Sequence, residues 1–279
     1  QVAYLAPTTI LASQQYDTFK ERMKDYPIRI ELLNRFVPTS KQKEIIKGLQ
    51  LGEVDIVIGT HKLLNFPSDL NNLSVIISHL HRDHYNDIYN IQYSSFVYRD
   101  QKRIEKPVDI YLPATPKKKY EDITEEENSF VNYHTISKST NLRIGDIDVS
   151  FCETDHPVET YAVKLSSGGK TIVYTADTSF SAKDRLVGFA KGADLLISES
   201  SLLTSYGFPE INSHLTAKQA SIIAKEANVG ALMLTHFWPE ELPENYVEEA
   251  KSIFTKVIAA NEGQIIDLPK IQEKEEGVR

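Results

Sequence analysis

Cysteine is almost missing from this chain. Cys152 stands alone, so no internal disulfide can staple the fold, and its setting in the apolar run VSFCET points to a small core residue rather than a nucleophile. Long apolar runs are missing too. VIIS and ALMLT fall far short of the roughly 20 residues that a membrane span needs, and no charged-then-apolar leader opens the chain, so a cytoplasmic protein without a membrane partner is expected. Cations are in the minority, 31 Lys and Arg against 39 Asp and Glu, for a net charge of −8. A field of that sign attracts no polyanion, which leaves nucleic-acid binding only to a local basic groove. The charge is also uneven: residues 1–64 carry nine basic and seven acidic side chains, the remainder 22 and 32.

What is present suffices for a core: 41% of the 279 residues are apolar, enough for one large domain or two modest ones. In the first 64 residues the pattern alternates. VAYLA reads as a strand, and TTILASQQYDTFKERM as a helix with Ala12, Tyr16, Phe19 and Met23 on one face. IRIELL is a second strand, TSKQKEIIKGLQ a helix opened by Thr39 and Gln42 at capping-box spacing, and VDIVIGT a buried strand. Strand, helix, strand, helix, strand predicts a parallel α/β arrangement.

The stretches APTTILASQQYDTFKERM and RFVPTSKQKEIIKGLQLGEVDIVIGTHKLL resemble the first motor lobe of the bacterial transcription-repair coupling factor, a RecA-like DNA translocase, over nearly all of residues 1–64. The resemblance implies a DNA-facing side bearing Thr8, Thr9, Gln14, Thr60, His61 and Lys62. No G-x-x-x-x-G-K-[ST] loop precedes Val2 and no acidic magnesium box follows Leu64, so this RecA-like fragment is expected to lack ATPase activity. Its small excess of cations supplies few phosphate contacts, and a scaffold role is expected in preference to DNA contact. A chain that starts at Gln1 is expected to be a piece of something larger.

From Asn65 the pattern changes. NLSVIIS reads as a strand running into HLHRDH; alternation puts His79 and His81 on one face at its exit, while Asp83 and His84 in the following turn point differently. Two ligands per direction suggest two metals, each given half a shell by this motif. The rest is expected at the ends of other apolar strands: His156 after IDVSFCETD, Asp177 after GKTIVYTA and His236 after GALMLT. Imidazoles and carboxylates suit two divalent cations, zinc first, with manganese or iron as alternatives. Such a pair lowers the pKa of a shared water and stabilises the charge that forms in hydrolysis; Asp83 would also orient that water. Glu199 lies at the end of LLISE. His214 precedes a helix with Thr216 and Gln219 at capping-box spacing and Ala220, Ile223, Ala224 and Ala227 on its buried face. His61 and His134 read as structural, PKKKYEDITEEENSF as a solvated loop or helix, and residues 271–279 as a disordered tail.

The motifs SHLHRDH, TDHPVETYAV, VYTADTSF, HLTAKQA and LTHFWPE, in that order within residues 65–268, resemble the metallo-β-lactamase superfamily in its phosphodiesterase branch related to tRNase Z. The resemblance implies an α/β fold, an αβ/βα sandwich over residues 65–270, with its usual N-terminal strands replaced by the RecA-like fragment of residues 1–64. It implies that His79, His81 and His156 hold one metal, that Asp83, His84 and His236 hold the other, and that Asp177 bridges them. It further implies attack by a metal-bridging hydroxide, with Glu199 and His214 protonating the leaving oxygen. In tRNase Z a long basic arm is inserted between the third histidine and the bridging aspartate. Only 20 residues separate His156 from Asp177 here, and a hairpin fills them, so the expected partner is a small-molecule or single-stranded phosphodiester rather than folded RNA. A homodimer is compatible with this reading. Phe237 and Trp238 either line a pocket or pack in the core. The competing readings are a DNA-binding fragment without ATPase activity and an inactive hybrid, because ligand geometry depends on a sheet that has lost its usual neighbours.

Overall fold

The computed structural model describes residues 2–5, 9–24, 28–34, 36–50, 53–59, 73–125, 129–207 and 213–261, with 264, 266 and 268. Contacts divide the chain into two units, residues 1–70 and 71–279. Thr8, Thr60, His61 and Lys62, the junction expected near residue 64 and the tail at 271–279 lie outside the described residues, as does the side chain of Thr9.

In the first unit, strands β1 (Val2–Leu5), β2 (Ile30–Leu33) and β3 (Ile56–Gly59) pair in parallel in the order β1-β3-β2, linked by helices α1 (Thr9–Arg22) and α2 (Thr39–Gln50). Alternation along β3 buries both of its faces. Ile56 and Ile58 pack with Ala12, Tyr16 and Phe19 of α1, and Val57 packs with Leu33 and with Ile45 of α2. The side chain of Thr39, and with it the expected capping box, lies outside the described residues. The Gln42 N–H already donates to the Pro38 carbonyl at 3.0 Å, which starts the helix one residue early, and the Gln42 amide turns to the Val37 carbonyl.

The second unit has two sheets. Strands β4 (Ser74–Ile76), β5 (Val108–Leu112) and β6 (Val131–Thr135) make a small parallel sheet in that order. Helices α3 (Arg82–Tyr85) and α4 (Ile88–Asp100) follow β4, and α5 (Lys117–Thr124) follows β5. The Gln92 amide of α4 donates to the Ile123 carbonyl of α5 at 2.7 Å and to the Tyr133 hydroxyl of β6, which fixes this helical layer to its sheet. The larger sheet is a consecutive run, β7 (Asn141–Ile144), β8 (Ile147–Glu153), β9 (Tyr161–Ser167), β10 (Lys170–Tyr174), β11 (Leu195–Glu199), β12 (Ala231–Thr235) and β13 (Val257–Ala259). Helices α6 (Lys183–Ala190), α7 (Ala217–Glu226) and α8 (Pro243–Lys251) join its parallel strands.

Side-chain alternation sorts the residues into layers. Val149, Phe151, Tyr161 and Val163 face the small sheet and meet Ile76 and Tyr111. Ala162, Val173, Leu196, Leu232 and Leu234 face the other way, onto Leu186, Ile223, Ala224 and Tyr246 of α6 to α8. Helices outside two stacked sheets make the αβ/βα sandwich. On α7 the capping box of Thr216 and Gln219 is present, and Ala220, Ile223 and Ala224 are fully buried.

Strand direction decides where the larger sheet delivers its loops. Because β8–β9 and β9–β10 are antiparallel while β10, β11 and β12 are parallel, strands β8, β10, β11 and β12 all end at one edge. The span between His156 and Asp177 is filled by β9 and β10 with a two-residue turn, Gly168 and Gly169, both at positive φ (56° and 77°), as a tight hairpin requires. No helix among the described residues is long and apolar enough to cross a membrane.

Gly230, at the entry to β12, is where the packing is tightest. A Cβ there would lie 2.5 Å from the Asp194 carbonyl oxygen, so Gly230→Ala must push β11 and β12 apart. The expected cost is about 1–3 kcal/mol, read as a lower urea midpoint at unchanged slope; a midpoint equal to that of the parent would contradict the close approach.

Candidate metal centre

Strand β4 stops at Ile76, sooner than the sequence pattern implies, and HLHRDH continues as extended chain and then the single turn of α3. Both sheets grip this segment: the Ile77 N–H donates to the Tyr111 carbonyl at 2.8 Å, and the Tyr161 N–H donates to the Ser78 carbonyl at 3.1 Å. His81 keeps extended backbone (φ −85°, ψ 145°) where α3 begins, so the turn redirects Asp83 and His84 away from the direction of His79 and His81. The remaining candidates stand at the common edge of the larger sheet. His156 follows β8, Asp177 follows β10, Glu199 ends β11 and His236 follows β12.

Six of the eight histidines gather here. Around Asp177 Oδ2 lie the Nε2 atoms of His84 at 3.4 Å, His79 at 3.6 Å, His236 at 3.7 Å and His156 at 3.8 Å, with His214 Nδ1 at 3.9 Å. His156 Nε2 faces His81 Nδ1 at 3.1 Å, and Asp83 Oδ2 is 3.2 Å from His84 Nε2 and 3.8 Å from His236 Nε2. Three sets have their ligand atoms within 4.8 Å of one another: His79, His81, His156 and Asp177; Asp83, His84 and His236; and Asp177, His214 and His236. Separations of 3.4–3.8 Å are long for hydrogen bonds. They are near the spacing of neighbouring donors on one tetrahedral cation, roughly 3.3–3.4 Å for bonds of about 2.0–2.1 Å. Moreover, His79 Nε2, His84 Nε2 and Asp177 Oδ1 are buried without a hydrogen-bond partner. Nitrogen lone pairs turned to one point beside a carboxylate are a donor set that fits a divalent cation.

The outward nitrogens of three imidazoles, those of His156, His236 and His79, are held by neutral groups. His156 Nδ1 donates to the Ser213 carbonyl at 3.1 Å, which leaves its Nε2 as an acceptor lone pair. Ser201 Oγ lies 3.0 Å from Glu199 Oε2 and 2.7 Å from His236 Nδ1. Since the carboxylate only accepts, the hydroxyl donates to Glu199 and accepts from His236 Nδ1–H, so His236 too presents a bare Nε2 inwards. Ser78 Oγ pairs with His79 Nδ1 at 3.1 Å. The supports of His156 and His236 set both ring orientation and tautomer, whereas that of His79 sets orientation alone.

Glu199 is fully buried and acts as a hub: Oε1 accepts from the Thr178 N–H at 3.0 Å and from His214 Nδ1 at 3.1 Å, and Oε2 accepts from Ser201. The field of the site divides the histidines. Burial, helped by His84, pushes His79 down to about 3, and burial also lowers His156 and His81. For His84 and His214 burial acts in the same sense but is outweighed, by Asp177 at His84 and by Glu199 at His214, so both are raised. Burial would raise Asp177, yet the surrounding imidazoles, His84 foremost, hold it well below the usual carboxylate range.

Two backbone positions at the strand exits are left-handed without being glycine: Ala176 at φ 52°, just before Asp177, and His236 itself at φ 61°. Such conformations are uncommon outside glycine and cost roughly 1–2 kcal/mol. They turn the chain sharply where each ligand must be presented.

The aromatic pair after β12 divides. Phe237 packs on Tyr246, with ring centroids 4.9 Å apart, and joins the helical core, whereas Trp238 is 52% exposed. Cys152 is partly buried against that core and burial pushes its thiol up. His134 bonds Asp109 at 2.8 Å on the small sheet, away from the histidine cluster. Gln14 lies in α1 of the first unit. Three contributors were not visible in the sequence. Ser201 and Ser213 act through one hydroxyl and one carbonyl, and Lys119, hidden in an acid-rich run, donates to the Leu80 carbonyl at 2.8 Å.

A family model described as the β-lactamase superfamily domain matches residues 53–237. A probable metallo-hydrolase of Bacillus subtilis, YhfI, is 33% identical over 187 residues, 65% of this chain and 72% of that protein. The crystal structure of YhfI, a metallo-β-lactamase fold protein, superposes with a TM-score of 0.64 at 30% identity over 74% of this chain and 82% of that one. Human tRNase Z, short form, shares the fold with a TM-score of 0.56 at 19% identity, covering 75% of this chain and 84% of that one. A further 77 residues, 28% of this chain, are 56% identical to the transcription-repair-coupling factor of Bacillus subtilis, of which they span 6%.

The Ser201 link predicts a measurable loss. Ser201→Ala removes the acceptor of His236 Nδ1–H and should weaken divalent-metal affinity about 10–100-fold, measured by competition with a chromophoric chelator on protein of unchanged circular dichroism; an unchanged affinity would mean that the tautomer of His236 is set elsewhere.

Proposed function

We propose that this chain, which belongs to the β-lactamase superfamily, is a metal-dependent hydrolase that cleaves a small or single-stranded phosphodiester. The observation that carries the reading is the ring of imidazole nitrogens at 3.4–3.8 Å from one buried carboxylate oxygen of Asp177. In this reading residues 65–270 form the hydrolase domain and residues 1–64 a RecA-like scaffold fragment. His79, His81 and His156 would hold one cation, Asp83, His84 and His236 a second, and Asp177 both. Two divalent cations, zinc first, would supply Lewis acidity and a nucleophilic water at neutral pH.

The chain's own residues divide the remaining work. Asp83 is 69% exposed at its side chain while close to His84 and His236, so it can accept a proton from a water at the mouth of the site and align it. His214 has Nδ1 committed to Glu199, which favours the protonated imidazole and leaves its other nitrogen free to face a leaving oxygen. Size selection rests on the β9–β10 hairpin: a two-residue turn leaves no arm between His156 and Asp177 to clamp a folded RNA.

The purified chain should contain close to two equivalents of metal by elemental analysis and hydrolyse bis(p-nitrophenyl) phosphate. Chelation should abolish that hydrolysis, and His81→Ala should lower it about a hundredfold or more. Well-folded protein that carries no metal and shows no chelator-sensitive turnover would sink the proposal.

A further inference from the structure

The centre is rich in carboxylates, yet a phosphodiester brings an anion to it. Asp83, Asp177 and Glu199 all lie in or against the histidine cluster. A side chain that steadies a phosphoryl oxygen must be cationic, close to the ligands and not already neutralised. Among the described residues, Lys119 meets all three conditions.

The topology puts it there. β4 and β5 are parallel, so the segments that leave them emerge at one edge, HLHRDH after β4 and α5 after β5. The partly buried Lys119, in the first turn of α5, donates from Nζ to the Leu80 carbonyl at 2.8 Å, so its ammonium rests against the peptide that joins Leu80 to His81. The ammonium has three N–H donors and spends one on that carbonyl. Among the described residues no carboxylate pairs with it, although Lys117 of the same turn pairs with Glu121. Arg82, the cation inside the motif, is exposed, and its charge acts on Tyr89 of α4. The loop that carries α5 is itself anchored, for Thr115 donates through N–H and hydroxyl to Glu159 Oε2 at 3.0 and 2.7 Å, three residues beyond His156.

We propose that Lys119 is a substrate-binding residue whose free N–H donors hold a non-bridging oxygen of the phosphoryl group at the metal centre. The inference rests on the phosphodiesterase reading for the identity of the substrate, but the anion site can be tested without turnover. The probes are inorganic phosphate, followed by calorimetric titration of the metal-loaded protein, and bis(p-nitrophenyl) phosphate, followed by steady-state kinetics. Lys119→Met should leave metal content unchanged, raise the phosphate dissociation constant and the KM for the diester about tenfold, and change kcat by less than about threefold; Lys119→Arg should restore most of the phosphate affinity. Unchanged phosphate affinity and KM in Lys119→Met would overturn the proposal. So would loss of metal together with phosphate affinity in both variants, which would make the lysine a prop for the His79–His81 segment. Phosphate binding that depends on Lys119 in a parent protein that leaves the diester intact would support the anion site and count against the phosphodiesterase reading alone.

Discussion

Everything in this molecule's second unit answers to one constraint: imidazole nitrogens packed around a single carboxylate oxygen cannot all hydrogen-bond to it. Asp177 Oδ2 has four Nε2 atoms between 3.4 and 3.8 Å away, and two of those nitrogens, of His79 and His84, are buried without a hydrogen bond. Left to themselves such groups would separate or rehydrate, because an unsatisfied buried polar atom costs about 1–3 kcal/mol. They are kept together by the larger sheet, whose strand directions deliver His156, Asp177, Glu199 and His236 to the same edge. A cage of this kind is preorganised: its ordering cost falls on folding rather than on binding.

Polar ties finish what the strands begin. Glu199 receives the Thr178 N–H from the segment after β10, and His214 and Ser201 from the two ends of the connection between β11 and α7, so one buried carboxylate ties two connections together. Asp155 has the same function on the other side, accepting from the hydroxyls of Ser179 and Ser181 and thereby joining the His156 loop to the Asp177 loop. Neither carboxylate belongs to the His79, His81, His156 and Asp177 group or to the Asp83, His84 and His236 group, yet both tie together the segments that carry those side chains.

Much of this was legible in the residues, for identifiable reasons. HLHRDH announces itself because four donor side chains in six positions are rare by chance, and apolar strands ending in His156, Asp177 and His236 follow from period-two patterning. The helix after His214 was legible from Thr216, Gln219 and its alanine-rich face. Thr39 and Gln42 carry the same spacing signal, but the Gln42 N–H donates to the Pro38 carbonyl, so the backbone of that helix begins one residue earlier than the spacing implies. Phe237 and Trp238 are adjacent in sequence and opposite in fate, one in the core and one in solvent, which only the chain's turn after β12 decides. Lys119 was the least legible. Its neighbours Lys117 and Lys118 and the glutamates after them make the run look solvated, and what distinguishes it is a carbonyl 39 residues earlier in the chain.

The left-handed backbone at His236 has an implication for how this chain would respond to selection or redesign. Glycine would sit more comfortably at that position, by about 1 kcal/mol, so a procedure that rewards stability alone favours replacing an imidazole of the histidine cluster. Ala176 presents the milder version of the same conflict, beside Asp177 rather than at a ligand. Backbone ease and the placing of a cluster side chain therefore pull in opposite directions at His236, whereas at Ala176 a glycine would relax the turn and leave every side chain of the cluster in the sequence.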